Sequence, residues 1–266
     1  MNRARFVSIA VLLVSLMGFT AMSPAQDTVP ARRTRPGGPK VYMGREIADV
    51  MTFHGADWLI RDTREAEEQP EQMLDALKIK PGMTVADVGA GVGYTSFKMA
   101  RRVGPTGTVL ATDVQPEMLR MLVDNAKTLN VKNVKPIRCT ATDPKLPDAS
   151  LDLILMVDVY HECSQPEATL KGLRKSLKPT GRLVLVEFRA EDPDVPIKPE
   201  HKMTVVQARK ELEANGFVFK ESLEFLPWQH VIIFEKKPED ATKKGAGPVS
   251  NELREGGGLI LPSDPK

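Results

Sequence analysis

Cysteine is scarce in this chain: among 266 residues only Cys139 and Cys163 occur. Neither belongs to a Cys-x-x-Cys pair, which excludes a disulfide framework and a four-cysteine zinc site. Net charge is almost absent as well, 37 Lys+Arg against 35 Asp+Glu leaving +2. No global field gathers nucleic acid or an anionic surface, so a dedicated DNA binder is excluded. What is present is apolar material, 41% of the residues. That rules out wholesale disorder and leaves stability to a hydrophobic core.

The ends stand apart from the rest. Residues 6–26 carry no charge, follow Arg3 and Arg5, and contain Ser23-Pro24-Ala25, small residues suited to cleavage after Ala25. Residues 1–25 therefore read as a secretory signal peptide, with export as the expected localisation. The alternative is an uncleaved membrane anchor, because the run is just long enough to span a bilayer. No Cys follows the run, so a lipidated N-terminus is not supported. Residues 26–43 read as a linker, and residues 237–266, rich in Lys, Glu, Gly and Pro, as a disordered tail. The remaining 44–236 has the size of one domain, with 44–77 forming an N-terminal helical cap.

Within that domain strands alternate with helices. Strands are expected at 84–88, 108–112, 134–139, 151–157 and 182–188, and helices near 95–102, 116–129 and 166–177. Pro136 puts the third strand at a sheet edge, and the nearly all-apolar 151–157 suits a parallel strand buried on both faces. Thr204 and Gln207 form a candidate capping box for a helix ending at Asn215-Gly216, and 217–226 with 229–235 reads as an antiparallel hairpin. The pattern predicts an α/β fold, a Rossmann-like doubly wound, mostly parallel sheet with a terminal antiparallel strand. Its ligands lie beyond the carboxyl ends of the parallel strands. Cys139 and Cys163 would then stand three strand spacings apart, beyond the reach of a disulfide.

The most informative stretch is Asp87-Val88-Gly89-Ala90-Gly91-Val92-Gly93-Tyr94, with Asp113 following at the end of the second strand. Glycines allow a sharp turn and close approach of a ligand, and a carboxylate at the next strand end can accept both ribose hydroxyls. A nicotinamide site would need Gly where Tyr94 stands. Asp87 suits a cationic amino group better than a diphosphate. From about 70 to 235 the chain resembles the class I S-adenosylmethionine-dependent methyltransferases: Asp87-x-Gly89-x-Gly91-x-Gly93 matches the first motif, Asp113 the ribose-binding acid, and Lys178-Pro179-Thr180-Gly181 the lead into the fifth strand. The stretch Asp158-Val159-Tyr160-His161-Glu162 further resembles exported bacterial methyltransferases with Asp-Val-Tyr-His-Glu after strand four. The resemblance implies S-adenosylmethionine as cofactor. It puts Asp87 near the methionine amino group, Gly89, Ala90, Gly91, Gly93 and Tyr94 along the cofactor, Asp113 and Val114 at the ribose, and Thr142 or Asp143 near the adenine.

Methyl transfer from a sulfonium is an in-line displacement, so aligning the acceptor dominates and a base adds to it. His161 after strand four is the preferred base, and Glu187 at the end of strand five joins it as a catalytic candidate; either could instead only hold the loop. His201 and His230 are expected at the same mouth. A metal held by His161, Glu187 and His201 is chemically allowed but has no short ligand spacing, so no metal is expected. Trp58 and Trp228 suit either a flat acceptor or the core, and the charged run 61–71 either a solvated helix face or a lid. The leading reading is methylation of a small-molecule acceptor, without nucleic acid, since no Asn-Pro-Pro-Tyr-type motif follows strand four. Membrane association arises only if the N-terminal segment stays uncleaved. The alternatives are a non-catalytic S-adenosylmethionine-binding protein of the same fold and a protein methyltransferase.

Overall fold

The structure, a computed structural model, describes residues 40–238. The expected signal segment 1–25, the linker up to residue 39 and the tail from residue 239 lie outside the described residues. The elements in chain order are β1 (Val41–Tyr42), β2 (Arg45–Glu46), α1 (Arg64–Glu68), α2 (Pro70–Ala76), β3 (Thr84–Val88), α3 (Tyr94–Val103), β4 (Thr108–Asp113), α4 (Pro116–Thr128), β5 (Val134–Arg138), β6 (Leu151–Val157), α5 (Pro166–Ser176), β7 (Leu177–Arg189), β8 (Lys202–Met203), α6 (Val205–Ala214), β9 (Phe217–Leu223) and β10 (Gln229–Lys236). The main sheet has the order β5-β4-β3-β6-β7-β10-β9, with β8 pairing with the end of β7. The pairs β3/β4, β4/β5, β3/β6 and β6/β7 are parallel, while β10 runs antiparallel to both β7 and β9. This is the Rossmann-like arrangement the alternation predicts, and β5 with Pro136 is an edge strand.

Alternating side chains explain why the middle stretches of the central strands are apolar on both faces. Ile154 and Met156 of β6, Leu183 and Leu185 of β7, and Ile232 and Phe234 of β10 pack on one side with Leu170, Leu173, Ala208 and Leu212 from α5 and α6. Their neighbours Leu153, Leu155, Val184, Val186, Val231 and Ile233 pack on the other with Met73, Leu74, Met99, Ala100 and Val103 from α2 and α3. Successive residues of a strand point to opposite faces, so helices on both faces demand apolar residues at every position.

Several local expectations change. The segment 44–77, expected as a helical cap, is helical only from residue 53 on. It holds β2, a 3₁₀ helix Phe53–Ile60 and two short α-helices, separated by Gln69 in the left-handed region (φ 47°). β1 pairs with β2 across Met43 and Gly44, both left-handed, so the linker expected to reach residue 43 ends in a hairpin. Lys178–Gly181 is no turn before a strand but an excursion within β7, where the pairing jumps from Leu151↔Leu177 to Leu153↔Arg182. Only half of the capping box forms: Thr204 accepts from Gln207 N–H at 3.0 Å, while the Gln207 side chain turns to Glu211 and the Met43 carbonyl. Cys139 and Cys163 are both free. Among the described residues no helix is long and apolar enough to cross a membrane.

Candidate active site

A cavity of about 680 Å³ opens at the carboxyl ends of β3, β4, β6 and β7. The turn after β3 forms one wall. Gly89 and Ala90 both donate to the Thr112 carbonyl at 2.8 and 2.9 Å, tying the turn to β4. Gly89 is left-handed (φ 75°), and a Cβ there would stand 2.5 Å from Val159 Cγ2, so any side chain would collide with the loop after β6. Gly93 faces the other way: its Cβ would meet Phe97 at 2.6 Å, inside the core. Gly89, Gly91, Asp113 and Val114 line the cavity, whereas Ala90, Gly93 and Tyr94 do not. Tyr94 instead donates to Glu65 at 2.6 Å and lies under the Arg64 guanidinium.

Asp113 clamps the turn. Its Oδ2 accepts from Gly91 N–H at 3.0 Å and its Oδ1 from Gln115 N–H at 2.8 Å. Each oxygen keeps a second lone pair for a ligand. Burial raises its pKa, and these backbone donors oppose the rise. Asp87 lies deeper, 2% exposed and outside the lining, where Ser96 Oγ donates to it at 2.6 Å. Burial pushes it up to about 6. A carboxyl raised in the folded state contributes stability that is complete below its unfolded pKa near 3.9 and lost as pH climbs through the folded value. Asp87→Asn, whose amide oxygen can still accept from Ser96, is therefore expected to stabilise the protein at pH 7 by on the order of 2–3 kcal/mol. That gain should vanish near pH 4. Urea unfolding of both proteins across that range measures it, and a gain that does not change with pH would refute it.

The residues expected near the adenine do not line the cavity: Thr142 is exposed and Asp143 half-buried in a turn closed by Thr140 Oγ1, while their neighbours Thr140, Ala141 and Pro144 line it. The charged run 61–71 is not simply a solvated face either. Arg64 and Glu68 are buried, bonded to each other at 2.7 Å, and both line the cavity. Opposite them stands Asp158, held left-handed (φ 54°) at the end of β6. Gln229 donates to its Oδ2 at 2.7 Å, while its buried Oδ1 has no hydrogen-bond partner. Burial, then Glu68 and Glu187, hold its pKa well above the usual carboxylate range. A buried carboxylate oxygen without a partner at a cavity wall fits a cationic amino group. Composition gave no sign of this, although Asp158 opens the Asp-Val-Tyr-His-Glu stretch.

At the other end His161 is 2% and Glu187 0% exposed. Glu187 Oε1 accepts from Tyr160 N–H at 2.8 Å and Oε2 lies 2.5 Å from His161 Nδ1. The cap segment fixes the same loop from outside, since Ala48 N–H and Arg45 Nη1 both donate to the His161 carbonyl at 3.0 Å. Nε2 of His161 meets Nδ1 of His201 at 3.1 Å with the rings edge-on. Glu162, not singled out in the sequence, joins them; burial pushes its pKa to about 7, and burial, followed by the neighbouring His161, lowers that of His201. His161, Glu162 and His201 line the cavity, as does Trp58, but His230 and Trp228 do not. Glu224 and Glu191 occupy both nitrogens of His230, at 2.6 and 2.9 Å.

A family described as a methyltransferase domain matches residues 79–236, more than half of the chain. The chain belongs to that family. The methyltransferase is 32% identical over 116 residues to the ubiquinone/menaquinone biosynthesis C-methyltransferase UbiE of Citrobacter koseri, a stretch covering 43% of this chain and 46% of that relative. It thus spans about half the length of the curated relatives it matches. Among solved structures, a SAM-dependent methyltransferase from Aquifex aeolicus superposes with a TM-score of 0.66 at 28% identity, covering 70% of this chain and 98% of the other. The YcgJ protein of Bacillus subtilis shares the fold at 18% identity and a TM-score of 0.52, covering 64% of this chain and 98% of the other. The chain thus carries a methyltransferase domain, and the Aquifex aeolicus protein that it matches over 98% of that protein's length is SAM-dependent.

Proposed function

We propose that this methyltransferase acts on a small-molecule acceptor whose reacting atom lies at the His161 end of the cavity. The observation that carries the reading is one continuous cavity with two chemically different ends: glycine turn, Asp113 and Asp158 at one, His161, Glu162 and His201 at the other. The first end fits the cofactor, because Gly89 and Gly91 line it with bare backbone and Asp113 keeps lone pairs for ribose hydroxyls. Asp158 and Glu68 would hold the methionine amino group and Arg64 its carboxylate. Asp87, below the turn, would act on the amino group only through the charge it carries. Thr140 and Ala141 flank the adenine position. When bound, the cofactor supplies an electrophilic methyl group.

The chain's own residues do the rest. Met51, Trp58, Met118, Phe188 and Ile197 line the cavity and exclude water from an apolar acceptor, a lining suited to an aromatic ring of the kind a quinone C-methyltransferase would accept. Glu187 would fix the tautomer of His161 by holding Nδ1–H, which leaves the Nε2 lone pair facing His201 Nδ1 at the cavity wall. We also propose export, supported by the uncharged run 6–26 and the small residues ending at Ala25; fractionation of cells expressing the full chain tests it.

Calorimetry tests the cofactor half. Asp113→Ala removes hydrogen bonds to a charged group and is expected to weaken S-adenosylmethionine binding by about 1.5–3 kcal/mol. Unchanged affinity in the variant, or binding of NADH in preference by the wild type, would remove the assignment. The acceptor half is tested by the release of S-adenosylhomocysteine against a panel of phenolic and quinol acceptors.

A further inference from the structure

The three side chains at the far end of the cavity stand in a tight triangle. His161 Nε2 and His201 Nδ1 are 3.1 Å apart, and Glu162 Oε1 lies 4.0 Å from the first and 3.9 Å from the second. A point equidistant from all three is about 2.2 Å from each, close to the bond lengths that imidazole nitrogen and carboxylate oxygen make to a divalent transition metal. We propose that His161, Glu162 and His201 bind a divalent first-row transition-metal ion, which leaves a coordination position open to the cavity for an oxygen atom of the acceptor. This rests on the reading of that end as the acceptor site.

Four observations converge on the site. His161 is oriented as metal-binding histidines are, with the far nitrogen held by a carboxylate, here Glu187 Oε2 at 2.5 Å. That carboxylate is itself fixed by Tyr160 N–H. Glu162 is oriented by Met51 N–H at 3.1 Å, and among the described residues its ion-pair partners are only His161 and His201. All three ligands line the cavity, so the positions they leave vacant face the acceptor rather than the core. Two imidazoles and one carboxylate favour zinc, iron, cobalt or nickel over magnesium or calcium, which prefer all-oxygen sets. A hydroxyl ligated there is acidified, its proton passing to water in the open mouth of the cavity. The sequence hides the site because two ligands are adjacent and the third is 39 residues from Glu162, a spacing with no recognisable pattern.

The experiment titrates chelator-treated, untagged full-length protein with Zn²⁺ by calorimetry and with Co²⁺ by visible absorption. The expected result is one ion per chain, undisturbed by millimolar Mg²⁺, with Zn²⁺ affinity falling at least about tenfold in His201→Ala and in Glu162→Gln. Glu187→Gln, a positioning change acting through His161, should weaken it by about 10- to 100-fold. His201 is partly exposed, so His201→Ala retains the fold, which circular dichroism checks. No saturable binding by the folded wild type, or binding that survives both His201→Ala and Glu162→Gln, overturns the proposal. S-adenosylmethionine is titrated into the same preparation. Cofactor binding without Zn²⁺ binding removes the metal site alone, whereas Zn²⁺ binding without cofactor binding keeps the metal site and removes the cofactor placement.

Discussion

Glu211→Ala is expected to destabilise the methyltransferase by about 3–5 kcal/mol, the usual cost of leaving a buried charge without its partner. Glu211 is fully buried and accepts from Arg45 Nε at 2.8 Å, Arg45 Nη2 at 2.9 Å, Tyr160 OH at 2.8 Å and Gln207 Nε2 at 2.8 Å. The Arg45 side chain is only 8% exposed, so water cannot replace the lost carboxylate. Removing both charges together, as Arg45→Met with Glu211→Leu, should recover most of the loss, because the desolvation cost of the pair disappears along with its attraction. Urea unfolding of the two variants decides this. A loss below about 1 kcal/mol for Glu211→Ala would show that the pair is screened. The same network carries Arg45 to the His161 carbonyl, so Glu211→Ala should also loosen the acceptor end.

The second large effect is on turnover. His161→Ala removes the ring whose Nε2 meets His201 at the proposed acceptor end, and Glu187→Gln removes the carboxylate that orients it. Each is expected to lower methyl transfer by about 10²- to 10⁴-fold, the span associated with losing assistance to removal of the acceptor's proton, here supplied through the proposed metal that His161 would hold. Affinity for S-adenosylmethionine should stay within about 0.5 kcal/mol, since neither side chain belongs to the glycine and Asp113 end. Single-turnover rates with an acceptor found in the panel, set beside calorimetry on the same samples, separate the two quantities. A large loss of cofactor affinity in a folded variant would place the pair in the wrong half of the cavity, and full turnover in both would make them scaffold.

Much of the fold was legible because its signals are local. Pro136 cannot donate to a ladder, and β5 is an edge strand. The nearly all-apolar β6 has helices on both faces, and Gly104 and Gly216, both with positive φ, lie just beyond α3 and α6. The cap segment was less legible. Its short pieces have little hydrophobic period of their own and are held by distant partners: Arg45 by Glu211, Ala48 by the His161 carbonyl, Met51 by Glu162. In β7 the excursion at Lys178–Gly181 looked like a turn because Pro179 and Gly181 are turn residues, yet pairing with β6 continues across it.

The sequence by itself determined the parallel sheet, the glycine turn after β3 and the acid at the end of β4, because strand period, turn chemistry and strand-end position are properties of short stretches. It also brought His161, Glu187 and His201 to one edge, since topology places every loop that follows a parallel strand there. Only the tertiary structure decided which of those side chains touch. Glu187 turns to His161 Nδ1 and Glu162 to the cavity, while His230, next to them in the sheet, is drawn off by Glu191 and Glu224. Likewise Arg64, Glu68 and Asp158 come to line one cavity from segments about 90 residues apart. The physical reason is that side-chain direction depends on rotamers and packing across the fold, and no spacing along the chain encodes it.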